Sequence, residues 1–305
     1  MSEQQWVPET RDQLTQEKLR IINAVLNKIP KLSLSVQKVI ELAGNKDVDS
    51  RELVEVASAD PVLASKILMM VNSSYYGLNR KIDNLRLAIV LLGFNEVRNI
   101  AIQSGFLNAV GDLKSKQFYD KKKLWTHSYL VSVCAENFAG EDDPKKAGTF
   151  MTIGILHDIG KFALKEIGEM MDKKGMAKTS SKEFSPELST LANEQKVFGV
   201  THTVIGCLLG ERWNLSDRVC AVIEYHHHPS FFSLDTIPSD YLEDIAAVCI
   251  ADIVVNTVMG EPAPYKTPDQ LYFDAIGYSP PIGTLITEEL KSRLAKAREY
   301  AEVLG

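Results

Sequence analysis

The sequence predicts an all-α fold, a multi-helical bundle preceded by a smaller helical part, on three observations. Apolar residues recur at steps of three and four along nearly every ordered stretch. No stretch alternates apolar with polar residues as a half-buried strand does, and no Asn-Gly hairpin turn occurs. Helix-start signals punctuate the chain, an Asp, Ser or Thr followed directly by proline. With 305 residues, 45% hydrophobic and 24% charged, the chain can bury one large core or two smaller ones.

The elements follow in order. Asp49 with Glu52 resembles a capping box, and Asp60 before Pro61 opens a helix striped by Leu63, Ile67 and Met70. Asn72 to Gly77 reads as a turn. Leu124, Val131, Cys134 and Phe138 form the apolar stripe of a later helix, with His127 on the same face. Asp143 before Pro144 opens a helix whose face through Phe150 and Ile153 reaches His157, with Gly160 as its stop. Residues 172–182 are polar, with glycine and serine, and read as a loop; Ser185 before Pro186 is a further start. Ile205, Leu209 and Trp213 lie on the side of the next helix reached from His202. Val219 and Val222 continue to His226, and Ile223 to His227. Ile245, Val248, Cys249 and Val255 stripe another helix that carries Asp252 on the same side. Thr267 before Pro268 and Thr287 before Glu288 and Glu289 open the last helices. Four segments result: an extension (1–17), a helical part (18–116) ending at the polar stretch Gly111 to Lys116, a larger bundle (117–260) and a C-terminal helical extension (261–305).

Composition excludes several classes. Acidic side chains outnumber basic ones, 40 to 34, so the formal charge is -6 and no general nucleic-acid surface is expected. The amino terminus lacks a secretory pattern and no apolar stretch is long enough to span a bilayer. Cys134, Cys207, Cys220 and Cys249 are widely separated, with neither a CxxC pair nor a disulfide framework, and fit a reducing, cytoplasmic compartment. There is no GxSxG, Walker loop or GxGxxG, and the Lys121 to Lys123 run reads as a solvated face.

All six histidines fall between His127 and His228. His127, His157, His202, His226 and His227 extend inward faces, whereas His228 precedes Pro229 and points elsewhere; Asp158 adjoins His157 at a helix end. One histidine on an apolar face is ordinarily a satisfied core residue, and Asp252 alone could cap a neighbouring helix. Together they are seven candidate ligands from five helices, and a buried unpaired carboxylate is costly. Divalent metal ions resolve that shared burial problem: imidazole nitrogens with a few carboxylates suit zinc, iron, manganese or nickel, and Asp158 can bridge two cations.

His127, the His157-Asp158 pair and Asp252 resemble the H…HD…D signature of the HD superfamily of metal-dependent phosphohydrolases over residues 117–260. With His202, His226 and His227 the set is similar to that of the HD-GYP branch, which holds two or three metals and hydrolyses cyclic di-GMP. Lys161, in HDIGK, matches that branch's phosphate-contacting lysine. The stretches ADPVLASKILMMVNSSYYG, IDNLRLAIVLLGFNEVRNIA, FGVTHTVIGCLLGERWNL and YHHHP resemble the HDOD family, the HD-related output domain, from Lys18 to Pro229. That resemblance implies an all-helical bacterial regulatory module whose partner is a signalling protein or a small phosphorylated ligand.

The chain departs from both patterns. HDOD domains commonly lose several metal ligands, whereas here the HD-type set is complete. No glycine occurs between Gly210 and Gly260, so the Gly-Tyr-Pro loop expected soon after His227 is absent. By analogy with HD-GYP, one cation falls to His127, His157, Asp158 and Asp252 and the other to Asp158, His202, His226 and His227. Three functions are expected in order: a signalling module with a two-metal site; a phosphohydrolase for a nucleotide or other phosphoester, with Asp158 and Lys161 as its catalytic groups; and a diiron oxygenase-like enzyme.

Overall fold

In the computed structural model the described residues are 8–42, 50–110, 120–139, 143–178, 190–231, 237–261 and 266–304. They form fifteen α-helices and several short 3-10 turns, with no β-strand among them, as the sequence predicts. No helix among them is long and apolar enough to cross a membrane.

The chain enters through a 3-10 turn, Arg11–Gln13, and α1 (Gln16–Leu26), capped by Thr15, whose side chain accepts from the Lys18 amide. A group of short helices follows: α2 (Leu34–Leu42), α3 (Ser50–Ser58), α4 (Pro61–Val71), α5 (Leu85–Leu92) and the longer α6 (Phe94–Val110). They pack on one another, α2 against α3 and α6, and α4 against α5 and α6. Asp60 caps α4 as expected, accepting from the Val62 and Leu63 amides. The turn after α4 is held by Asn72. Its amide group donates to the carbonyls of Leu68 and Ile82, and its oxygen accepts from the Ile82 amide at 2.7 Å.

The larger bundle contains α7 (Lys121–Asn137), α8 (Pro144–Leu156), α9 (Lys161–Asp172), α10 (Leu191–Phe198), α11 (His202–Arg212), α12 (Asp217–Tyr225) and α13 (Leu242–Met259). Helix α7 packs on α8 and α13, α9 on α1, α10 and α11, and α12 on α8, α11 and α13. Nearly every side chain of α13 from Asp244 to Asn256 is buried, because neighbours cover it on several sides. Helices α14 (Gln270–Ala275) and α15 (Glu288–Leu304) close the chain; α15 packs on α7, and Arg293 bonds Asn137 and Glu136.

Two sequence expectations change. Helix α14 starts at Gln270 behind Asp269, not behind Thr267: Asp269 is itself extended (φ -66°, ψ 161°), so Pro268 lies before the cap instead of at the first helical position. Gly160 is not a left-handed helix stop; its φ is an ordinary -66° and it precedes α9. Its requirement is spatial. A Cβ there would lie 1.9 Å from the His202 carbonyl oxygen and 2.6 Å from the Gly206 amide nitrogen. The Asp49 cap, the Gly111 to Lys116 boundary and the Ser185-Pro186 start lie outside the described residues, as do residues 179–182 of the expected loop, whose earlier part follows the end of α9 at Asp172.

Candidate metal centre

Six elements deliver the sequence-predicted residues to one place. His127 comes from the second turn of α7, His157 and Asp158 from the turn after α8, and Lys161 and His202 from the first positions of α9 and α11. His226 and His227 follow the end of α12, and Asp252 comes from the middle of α13. Asp158 is the hub. Its Oδ1 lies 3.1 Å from His202 Nε2 and 3.8 Å from His226 Nε2, while Oδ2 lies 3.4 Å from His157 Nε2 and 3.9 Å from His127 Nε2.

Ligand atoms close enough to share an ion fall into two groups joined at Asp158: His127, His157 and Asp158 in one, and Asp158, His202, His226 and His227 in the other. Asp252 stands beside the first group. Its Oδ1 is 3.0 Å from His127 Nε2 and accepts from Asn256 at 2.9 Å, and its Oδ2 is 4.0 Å from His227 Nδ1. Lys161 Nζ meets Asp158 Oδ2 at 2.5 Å. His228 is buried outside both groups, its ring centroid 4.7 Å from that of Tyr225.

Local hydrogen bonds fix which ring nitrogen faces the centre. His157 Nδ1 contacts the Gly154 carbonyl at 2.6 Å and His226 Nδ1 the Ile223 carbonyl at 2.9 Å. A carbonyl only accepts, so each Nδ1 carries a proton and each Nε2 faces inward. Those two Nε2 atoms are buried and make no hydrogen bond among the described residues. His202 Nδ1 is held at 2.7 Å by Glu194 Oε2, which also accepts from the His202 amide at 2.8 Å.

The electrostatics divide the imidazoles: those of His226 and His227 are pushed toward the neutral form, those of His127 and His202 toward the protonated one. Burial lowers the His226 pKa, the neighbouring His157 and His202 lower it further, and His227 behaves alike beside His226, so both imidazoles are neutral. Burial would raise the Asp158 carboxyl; His157 and Lys161 outweigh it and hold it well below the usual carboxylate range. Burial likewise opposes the Asp252 carboxylate, but the hydrogen bond and charge of His127 hold its pKa at about 2. His127 moves the other way: burial lowers it, and the Asp252 hydrogen bond with the two carboxylate charges raises it above its usual value.

The residues fit a metal: oriented imidazoles around an ionised carboxylate, with His226 and His227 held neutral, are a donor set that divalent transition ions satisfy. The set opens toward solvent at one edge, where the side chains of His127 and Lys161 are 21% and 17% exposed. Two participants escape a reading for metal ligands, Glu194 and Asn256. Glu194 had a signal: it sits at a stripe position of α10 with Leu191, Val197 and Phe198, and a carboxylate there needs a partner.

This donor order, on this helical scaffold, agrees with a match of the HDOD domain to residues 29–229. The chain belongs to the HDOD domain family. An HDOD domain protein from Geobacter sulfurreducens superposes with a TM-score of 0.66 at 21% identity, covering 95% of this chain and 99% of that one. A candidate signal transduction protein from Marinobacter aquaeolei VT8 gives 0.70 at 18%, covering 94% and 66%. A candidate phosphohydrolase from Shewanella amazonensis SB2B gives 0.60 at 19%, covering 93% and 98%. At these identities the likeness concerns the fold. The chain spans less than half the length of the curated relatives it matches, proteins of Treponema pallidum (strain Nichols) and Bacillus subtilis (strain 168) that are 26% and 27% identical over 240 and 123 residues, 78% and 40% of this chain.

Proposed function

We propose that this chain is a regulatory HDOD module whose HD-type centre holds two divalent cations. His127, His157 and Asp158, with Asp252 alongside, would hold one; Asp158, His202, His226 and His227 would hold the other. The observation that carries this reading is the pair of donor groups sharing Asp158, every member buried except the half-buried His127. Asp252 keeps His127 oriented, Glu194 does the same for His202, and Lys161 supplies positive charge at the open edge. Elemental mass spectrometry of protein purified without chelator tests it. Close to two equivalents of a transition metal are expected, and a stoichiometry of one or none overturns the dinuclear assignment.

A phosphohydrolase activity is the second reading, favoured by the solvent-facing edge at His127 and Lys161. Bound metal ions lower the pKa of an attached water and clamp phosphoryl oxygens. Lys161, released from Asp158, would neutralise an incoming phosphate, while the hydrocarbon around the histidines excludes bulk water. A panel of nucleotides and cyclic dinucleotides, assayed with restored manganese or iron, is expected to show turnover that Asp158→Ala abolishes. Absence of turnover across the panel rejects this reading and leaves the regulatory one standing.

A further inference from the structure

A cavity of about 220 Å³ opens between α2, α8 and the turn that joins α11 to α12, and none of the candidate metal ligands lines it. Its walls are apolar: Ile40 from α2, Ile153 from α8, Trp213 and Leu215 from the turn, and Val219 from α12. Those walls are tied in place. The Trp213 indole N–H donates to the Pro30 carbonyl at 3.1 Å, and the adjoining Arg212 donates to Asn27 Oδ1 at 2.8 Å, so the turn is fastened to the connection between α1 and α2. The polar groups at the wall are mostly spent locally. The Thr152 hydroxyl donates to the Gly148 carbonyl of its own helix at 2.9 Å, and the Gln37 amide nitrogen to the Leu32 carbonyl at 2.8 Å. One cation stands at the cavity, Arg218. Its Nε lies 3.4 Å from Asp244 Oδ2, and its side chain is 48% exposed, so the guanidinium sits between the apolar walls and solvent.

We propose that this cavity binds a small monocarboxylate with an apolar body, its carboxylate on Arg218 and its hydrocarbon against Trp213, Ile153 and Val219. The volume is below that of sites for drug-sized ligands and admits a molecule of about ten non-hydrogen atoms, an aryl or branched-alkyl acid. Apolar walls gain from burying such a body, and a guanidinium forks onto a carboxylate. A phosphate dianion fits poorly, because a single cation already shared with Asp244 neutralises one charge at most. The cavity also stands at the root of two helices that end in the metal centre. Helix α8 runs from Thr152 to His157 and α12 from Val219 to His226, about 7 Å and about 10 Å along their axes. A ligand that shifts α8 against α12 moves His157 and Asp158 against His226. Resting on the regulatory reading above, the acid is the chemical input of the module.

The test titrates the full chain, stripped of metal by chelator, with phenylacetate, benzoate and isocaproate and with the amide of each, followed by calorimetry. At least one acid is expected to bind with a dissociation constant on the order of 1 mM or below. Its amide is expected to bind about fivefold more weakly, as a half-exposed ion pair allows. Arg218→Gln, a change at a half-exposed position that the fold tolerates, should remove the preference for the acid. Val219→Phe, which fills the cavity, should abolish binding of acid and amide alike. Binding of none of the acids, equal binding of acid and amide by the wild type, or an acid preference retained in Arg218→Gln overturns the site. Manganese titration of the chain saturated with the bound acid is then expected to show an affinity changed by about fivefold or more. An unchanged manganese affinity overturns the regulatory role. Because the acid is titrated into the chelated chain, failure of the site is distinct from failure of the metal assignment.

Discussion

Replacing Gly160 by alanine adds one methyl group at the point where the HDIGK turn crosses α11. The backbone conformation tolerates alanine, since φ is -66°, so the effect is purely one of space. The new carbon would sit 1.9 Å from the His202 carbonyl oxygen, 2.6 Å from the Gly206 nitrogen and 2.8 Å from the His202 carbonyl carbon. All three are backbone atoms of a packed helix, with no side chain to rotate away. Restoring ordinary contact requires α9 and α11 to part by about 1.5 Å. That movement falls directly on the 3.1 Å approach of His202 Nε2 to Asp158 Oδ1, because Asp158 and Gly160 share one turn. Overpacking of this kind costs about 1–3 kcal/mol, which lowers the melting temperature by several degrees in a chain of this size. Metal affinity should fall at least tenfold (on the order of 1.4 kcal/mol). Differential scanning fluorimetry and isothermal titration with manganese measure the two effects. Gly283→Ala, which meets nothing within 4 Å, serves as the control and should change stability by less than about 0.5 kcal/mol. Wild-type affinity and melting temperature in Gly160→Ala would refute the reasoning.

Glu194→Gln removes the charge that orients His202 and should weaken metal binding by about 10- to 100-fold while the circular dichroism spectrum is unchanged; an unaltered dissociation constant would dismiss its positioning role. Burial raises the Asp244 pKa to about 6, against the partial opposition of Arg218, so its protonated form is favoured on folding. That stability is complete below the unfolded value of about 3.9 and is lost as pH rises through about 6, worth up to about 3 kcal/mol. Urea unfolding of Asp244→Asn should therefore gain on the wild type between pH 4 and pH 7, and parallel pH profiles would contradict this. Asn72→Ala breaks both ends of the link from α4 to Ile82 and should cost about 1–2 kcal/mol in denaturant midpoint without altering metal stoichiometry. Manganese at a thousand times its dissociation constant should stabilise the chain by about 4 kcal/mol, and Asp158→Ala should erase most of that gain.

The amino-acid order by itself determined the helices and the inward-facing donors. Asp60 and Asp143 cap where their proline neighbours require it, and the Val219 to His226 and Ile223 to His227 rows bury the imidazoles because 3.6-residue periodicity is local and survives in one dimension. Thr267-Pro268 misled because the chain stays extended through Asp269, which holds the N-cap position without a side-chain capping bond. Gly160 shows the opposite limit: a glycine in a helix-ending context reads as a conformational stop, whereas its purpose is contact with a segment more than forty residues away. Only tertiary structure decided that Asp252 stands beside His127 and that Glu194 grips His202. Periodicity names the buried face of a helix but not the height at which two such faces meet. That register is set by side-chain volumes across the seam, and a shift of a single turn would separate each of these pairs by about 5 Å.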